Sequence, residues 1–344
     1  MKIALAAPAP FDTVSGGYNY DRAIVGGLRA LGHEVLVVEQ AGRHPLPDAV
    51  AAANARDTLD GVPPDHVLVI DGLGLPAFSD HADDARIARA VGLIHHPTPL
   101  EKGLSEADAA TLRAREAALL PRLQRLVATS NVTADALAQM GIARAGITVV
   151  EPGTAPATRA PGTRGAGCQL LSIGALVPRK GHDVLLQALG RLPDLDWKLT
   201  IVGHDGRDAR HAALLRALAE ELGITQRVTF AGEVAGAALE TLWQATDIFA
   251  LATWHEGYGM AAAEALARGI PLAITAGGAI ADLAQPAYSV VSKPGEHAAL
   301  SKGLRRMIFD GEQRARMKDA AWEAGRTLPG WPAQAEKFAA SLAA

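Results

Sequence analysis

The stretch Thr253-Trp254-His255-Glu256-Gly257-Tyr258-Gly259-Met260-Ala261-Ala262-Ala263-Glu264 sets two carboxylates eight residues apart, at the point where an apolar strand gives way to a helix. Before it, Ile248–Ala252 is a short apolar run suited to a strand buried in a parallel sheet; after it, Gly259–Arg268 is Ala-rich and suits a helix packed close to that sheet. Glu256 then falls in the turn and Glu264 inside the helix. Along one continuous helix, eight residues at about 100° each leave the side chains roughly 80° apart, so the pair need not share a face and can serve different parts of one ligand. Gly257 and Gly259 flank the turn, where missing side chains let backbone amides approach a ligand and a helix N-terminus favours oxygen-rich or anionic groups. As a bare pair, a capping Glu256 and a solvated Glu264 would account for both residues equally well.

Outward from this point, apolar runs alternate with helical stretches along nearly the whole chain. The strand candidates of the first half are Ile3–Ala7, Val35–Glu39, Val67–Asp71, Val91–His95, Leu126–Ser130 and Ile147–Val150. Those of the second half are Gln169–Ile173, Lys198–Val202, Val228–Ala231, Ile248–Ala252, Pro271–Thr275 and Ser289–Val291. Such alternation implies parallel sheets covered by helices, and two sets of six fit two doubly wound domains better than one oversized sheet. Between the sets, residues 151–167 are rich in Pro, Gly and Thr and read as a linker, giving domains at 1–150 and 168–328. After the break at Pro329-Gly330, a short amphipathic helix over 331–344 closes the chain.

The 344 residues and 49% hydrophobic content are enough for two cores. A net charge of −4 gives no reason to expect nucleic acid. The single cysteine, Cys168, fits a reducing cytosol, though a disulfide-free secreted protein would look the same. Met1–Pro10 is too short in its apolar part, and too broken by Pro8 and Pro10, for a signal peptide, and reads as a first strand. No run approaches the roughly 20 apolar residues of a membrane-spanning helix, so a soluble, cytoplasmic protein is expected, at most peripheral to the inner face of a membrane.

Several residues can carry chemistry. Arg179 and Lys180 lie between a strand and a helix, where cations are well placed to meet a diphosphate; alone they would pass as solvated surface. Gly16-Gly17 opens a helix after the first strand and lets amides reach a phosphate or sugar, or is an ordinary glycine turn. His95-His96 stands at the end of a strand, where open α/β sheets place ligands. Adjacent strand residues face opposite ways, so the two are not expected to chelate one metal together. Asp194-Leu195-Asp196 precedes a strand and reads as a turn rather than a metal motif. Glu106–Arg125, with Arg113, Arg115, Arg122 and Arg125 among leucines, is a basic amphipathic helix that either contacts an anionic membrane surface or acidic acceptor, or is simply covered with a solvated face.

The run Glu256–Pro271, with Ala276–Asp282 after it, resembles the E-x7-E signature of retaining glycosyltransferases of the GT-B fold, family 4 branch. Ile173-Gly174-Ala175-Leu176-Val177-Pro178-Arg179-Lys180-Gly181 resembles that family's diphosphate-binding loop. Ser15-Gly16-Gly17-Tyr18 with Gly32–Val35 resembles its N-terminal opening, and His95-His96-Pro97, Thr129-Ser130 and Val150–Thr154 are weaker echoes. The resemblance implies two Rossmann-like domains facing a central cleft, an N-terminal acceptor domain to which the terminal helix crosses back, and a C-terminal donor domain. It further implies transfer of a hexose-like group from a nucleotide diphosphate sugar to an acceptor hydroxyl, by a same-face mechanism with no metal and no cofactor. In that pattern Glu264 meets the ribose, Glu256 the sugar, and Arg179 with Lys180 the diphosphate. One of His95 and His96 approaches the sugar; the motif register differs among relatives and leaves both open, with His95 slightly favoured. Gly16, Gly17, Gly257, Tyr258, Gly259 and Met260 line the donor, and Glu233-Val234 with Gly203–Asp205 the base. One departure is Ala175, where many relatives carry Arg; Arg179 is then expected to supply the guanidinium. Rival readings are another GT-B enzyme, an epimerase or phosphorylase, and a silent nucleotide-sugar binding protein.

Overall fold

All twelve apolar runs form strands, sorted into two six-stranded sheets in which every pairing is parallel. The computed structural model describes residues 1–101, 103–163 and 167–343. They divide into two units, one of Met1–Gly153 with Pro329–Ala344 and one of Thr154–Leu328.

The first unit runs β1 (Lys2–Pro8), α1 (Gly16–Ala30), β2 (Glu34–Gln40), α2 (Ala49–Gly61), β3 (Val67–Asp71), β4 (Val91–Ile94), α3 (Glu106–Leu119), β5 (Arg125–Ala128), α4 (Asn131–Gln139) and β6 (Ile147–Val149). Its sheet order is β2-β1-β3-β4-β5-β6. The second runs β7 (Cys168–Ile173), α5 (His182–Gly190), β8 (Trp197–Val202), α6 (Ala209–Glu221), β9 (Val228–Gly232), α7 (Gly236–Ala245), β10 (Ile248–Leu251), α8 (Met260–Leu266), β11 (Leu272–Thr275), β12 (Ser289–Ser292), α9 (His297–Phe309) and α10 (Gly311–Gly325). Its order, β12-β11-β10-β7-β8-β9, is that of a dinucleotide-binding sheet read from the other edge. Both orders contain a point where the winding reverses, between β1 and β3 and between β7 and β10. Doubly wound sheets hold ligands at the carboxyl ends of the strands flanking that point.

Strands at the sheet centres are apolar throughout because helices cover both faces: every residue of β4, β10 and β11 is buried. The last helix, α11 (Trp331–Ala343), belongs to the first unit and packs on α1. Gly27 permits the close approach, since a Cβ there would stand 2.4 Å from that of Ala335. The Tyr20 ring meets Trp331 edge to face at 5.7 Å, and its hydroxyl donates to the Val150 carbonyl at 3.0 Å. Phe338 is only 1% exposed, so Phe338→Ala should destabilise this unit by about 3–5 kcal/mol, read as a lowered denaturation midpoint.

Three local readings change. The stretch Glu106–Arg125 is not one helix: α3 ends at Leu119, Pro121 sits in a 3-10 turn over Leu120–Arg122, and Arg125 already opens β5. Pro121 lacks the N–H that would continue the helix ladder. Three of its four arginines are engaged within the unit, Arg115 on Ser79 Oγ at 2.6 Å, Arg122 on Asp83 at 2.7 Å and Arg125 on the Ser341 carbonyl at 2.5 Å. Secondly, β4 and β5 stop short of His95 and Ser130, because Ser130 leaves the strand to cap α4, accepting from Thr133 N at 3.0 Å. Thirdly, the stretch read as a linker over 151–167, of which 164–166 lie outside the described residues, does not hang free where described. Ala160 N donates to Arg268 O and Gly162 N to Gln244 O, and Thr163 N reaches the buried Asp247 carboxylate at 3.1 Å. Composition marks the lack of large apolar side chains but not these backbone bonds. Ala344 is likewise outside the described residues, and no described helix is long and apolar enough to cross a membrane.

Candidate functional site

At the carboxyl ends of β7 and β10 two short loops interlock. Beyond β7, Pro178–Lys180 forms one 3-10 turn and Gly181 reverses into α5 with φ 62°. Beyond β10, Trp254 N donates to the Arg179 carbonyl at 2.8 Å, while Arg179 NH1 donates back to the His255 carbonyl at 2.8 Å. A third loop closes the arrangement: Glu256 N donates to Gly277 O and Ala279 N to Glu256 O, so Glu256 is held on both sides of its backbone. Its side chain then receives Lys180 Nζ at 2.6 Å, with Arg179 NH1 at 3.6 Å and Thr253 Oγ1 at 3.3 Å. Burial alone would raise the Glu256 carboxyl; Lys180 and Arg179 outweigh it and hold the group below the usual carboxylate range. Two cations facing one carboxylate leave a net positive corner at the topological switch point, suited to an anionic ligand.

Glu264 stands apart from this cluster. It lies half-buried on α8, and burial raises its carboxyl above the usual range, with Arg268 opposing. Arg268 is committed elsewhere, to the Glu240 carboxylate at 2.7 Å and the Glu264 main-chain carbonyl at 3.0 Å. The Glu264 carboxylate makes no hydrogen bond among the described residues and is available to a ligand. Of the neighbouring candidates, Tyr258 buries its side chain in the core, Gly257 and Met260 are half-buried, and Gly259 precedes α8 with φ 104°. Glu233, exposed, and Val234, half-buried, follow β9 at the sheet edge. Asp194 is a surface ion pair with Arg305 at 2.7 Å, and the Asp196 carbonyl accepts from Cys168 N, in keeping with a turn.

In the first unit, Gly16 and Gly17 open α1, with Ser15 as the cap. A Cβ on Gly17 would come within 3.4 Å of the His95 ring, so the glycine turn lies against that imidazole. His95 Nε2 sits 2.9 Å from Asp21 Oδ1 and 3.2 Å from Asp71 Oδ2, and its ring packs edge to face on Tyr20 at 5.1 Å. Asp21 and Asp71 are both buried. Burial lowers the His95 basicity, but the two carboxylates outweigh it and raise the group well above the usual imidazole range; burial, opposed by the His95 charge, raises the Asp21 carboxyl. Thr129 and Thr133 hydroxyls donate to the His95 carbonyl at 3.2 and 3.3 Å. Thr98, two residues beyond the half-buried His96, donates its N–H to Glu116 Oε1 at 2.9 Å and pins the loop. Asp21, Asp71 and His95 are, among the described residues, the one group of three such side chains close enough to share a cation. The two contacts are also hydrogen-bond distances that a protonated ring satisfies by itself.

Sequence reading missed both carboxylates. A signal existed for each: Asp21 lies on the face of α1 shared by Tyr20, Ile24, Val25 and Leu28, where an apolar residue is expected, and Asp71 ends the apolar run Val67–Ile70.

Residues 159–323 match the family profile described as glycosyl transferases group 1. Over 214 residues the chain is 32% identical to a D-inositol 3-phosphate glycosyltransferase of Mycobacterium sp. (strain KMS), covering 57% of this chain and 48% of the relative. It is 30% identical over 173 residues to the mannosylfructose-phosphate synthase of Agrobacterium fabrum, covering 45% of this chain and 38% of that protein. The aligned part thus spans about half the length, or less, of these curated relatives. Among solved structures, a sucrose-phosphate synthase of Thermosynechococcus elongatus is similar at a TM-score of 0.83 with 19% identity, over 98% of this chain and 97% of that one. HepE of Anabaena, solved in complex with UDP and glucose, is similar at 0.76 with 17% identity over 100% of both chains. These structural likenesses speak to architecture, two parallel six-stranded Rossmann-like units of the GT-B type. On that architecture, residues 159–323, just under half of the chain, carry the match to the glycosyl transferases group 1 family.

Proposed function

We propose that the chain is a retaining glycosyltransferase that moves a hexose-like group from a nucleotide diphosphate sugar to an acceptor hydroxyl. The observation that carries this reading is the corner made by Arg179, Lys180 and Glu256 at the β7/β10 switch point, together with a Glu264 carboxylate that makes no hydrogen bond among the described residues. Arg179 and Lys180 stabilise the negative charge that develops on the departing diphosphate, which is electrostatic catalysis by preorganised groups. Glu256, fixed at both sides of its backbone, contacts the sugar, and Glu264 accepts from the ribose hydroxyls. In the first unit, His95 and the Gly16-Gly17 turn are the groups offered to substrate. Two protein cations at the diphosphate replace a metal, so turnover is expected to persist in EDTA.

Thermal-shift ranking of UDP-, GDP-, ADP- and TDP-sugars identifies the donor, because a ligand that binds the folded state stabilises it by mass action. With that donor, nucleoside diphosphate should appear only when acceptor is present, and the product should keep the donor's anomeric configuration. Release without acceptor, or binding without turnover across a broad acceptor panel, would count against transfer. The division of roles has its own check. Glu264→Gln should weaken sugar nucleotide and free nucleoside diphosphate alike, whereas Glu256→Gln should mainly impair sugar-dependent steps; equal losses of diphosphate affinity in both would contradict it.

A further inference from the structure

Asp21, Asp71 and His95 are brought together from α1, β3 and the end of β4, and a charged ring offsets one of the two buried negative charges that a neutral ring would leave unopposed. Nε2 faces two carboxylate oxygens at 2.9 and 3.2 Å, so it must be a donor: an unprotonated nitrogen there would confront two acceptors. Asp71 also accepts from Leu73 N at 2.8 Å, but among the described residues no Lys or Arg bonds either carboxylate. Buried carboxylates need a cation or a shared proton, and His95 is the cation in reach. The remaining nitrogen, Nδ1, makes no hydrogen bond among the described residues, and the side chain is 22% exposed.

We propose that Asp21 and Asp71 are positioning residues that hold His95 as an imidazolium, its Nε2–H committed to the two carboxylates and its Nδ1–H presented to an oxygen of the bound substrate. The second half of this assignment rests on the transferase reading; the first does not. The groups facing the ring are Asp21 and the Tyr20 phenol from α1 and Asp71 from β3, with His44 of the loop after β2 near Asp71. From the α4 side the hydroxyls of Thr129 and Thr133 donate to the His95 carbonyl. The Asp pair thus decides the charge of a donor that an ordinary histidine would lose near neutral pH.

The test is nitrogen NMR of the histidine-labelled protein, with His95 assigned from His95→Gln. Both ring nitrogens of His95 should read as protonated through pH 8 in the wild type. In Asp21→Asn/Asp71→Asn burial is no longer opposed, so the ring should titrate at or below its ordinary value of about 6.5, leaving at most about 3% charged at pH 8; kcat should fall at least ~30-fold there and by a smaller factor at pH 5.5. A neutral His95 at pH 7 in the wild type overturns the proposal even if the variant fails to fold. Equal kcat losses at both pH values overturn it too, because they mark a merely structural role, as does stoichiometric capture of the His95 signals by Mg²⁺, Mn²⁺ or Zn²⁺, which would make the trio a cation site. A doubly protonated His95 in a protein that transfers no sugar upholds the charge assignment and overturns the transferase reading instead.

Discussion

Replacing Arg179 and Lys180 together by Ala should lower turnover at least ~10²-fold, as expected when preorganised charge is removed from a developing diphosphate. The same change strands Glu256, whose buried carboxylate would keep, among the described residues, only Thr253 as a side-chain donor. Breaking a buried pair from one side typically costs about 3–5 kcal/mol, so part of the observed loss would be one of folding. Adding Glu256→Gln separates the two effects, since a neutral amide tolerates the missing cations. The triple variant should recover most of the denaturation midpoint and none of the turnover. Near-normal rates in the double variant, or turnover that returns with stability in the triple, would show that the two cations serve the fold alone.

Gly181→Ala should be among the most damaging single-methyl changes in the second unit. Gly181 adopts φ 62°, ψ 30°, and a Cβ there would lie 2.0 Å from the Ala252 carbonyl oxygen, a main-chain atom of the β10 end that cannot turn aside. The left-handed conformation alone costs a non-glycine residue roughly 1–2 kcal/mol. The clash comes on top, so the midpoint should fall by at least ~5 °C for a unit of this size. Because Gly181 joins the Arg179-Lys180 turn to α5, relief of the clash must displace both cations, and turnover should fall with stability. Gly223→Ala is the matched control: its φ is 66°, yet nothing lies within 4 Å of its Cβ position. It should show the left-handed strain without the activity loss. Equal behaviour of the two variants would mean that the close contact between the β7 and β10 loops is not what places the cations.

Sequence by itself determined the twelve strands, their division into two sheets and the motif positions of Arg179, Lys180, Glu256 and Glu264. These rest on local signals: continuous apolar runs for strands buried on both faces, Ala-rich or amphipathic stretches for covering helices, and fixed spacing within one loop or helix. Strand ends were less legible where a polar residue had two uses, as with Ser130, which fits a strand but caps α4. Only the tertiary structure decided who pairs with whom. Lys180 meets Glu256 across 76 residues of chain and His95 meets Asp21 across 74, through sheet orders that no local pattern encodes. It made Glu256 an ion-paired anchor, left the Glu264 carboxylate without a hydrogen bond among the described residues, and turned His95 from one of two adjacent histidines into the partner of two buried carboxylates. The physical reason is that strand propensity and loop chemistry act over a few residues, whereas the charge of a buried group is set by whatever the winding of the sheet brings within about 4–6 Å of it.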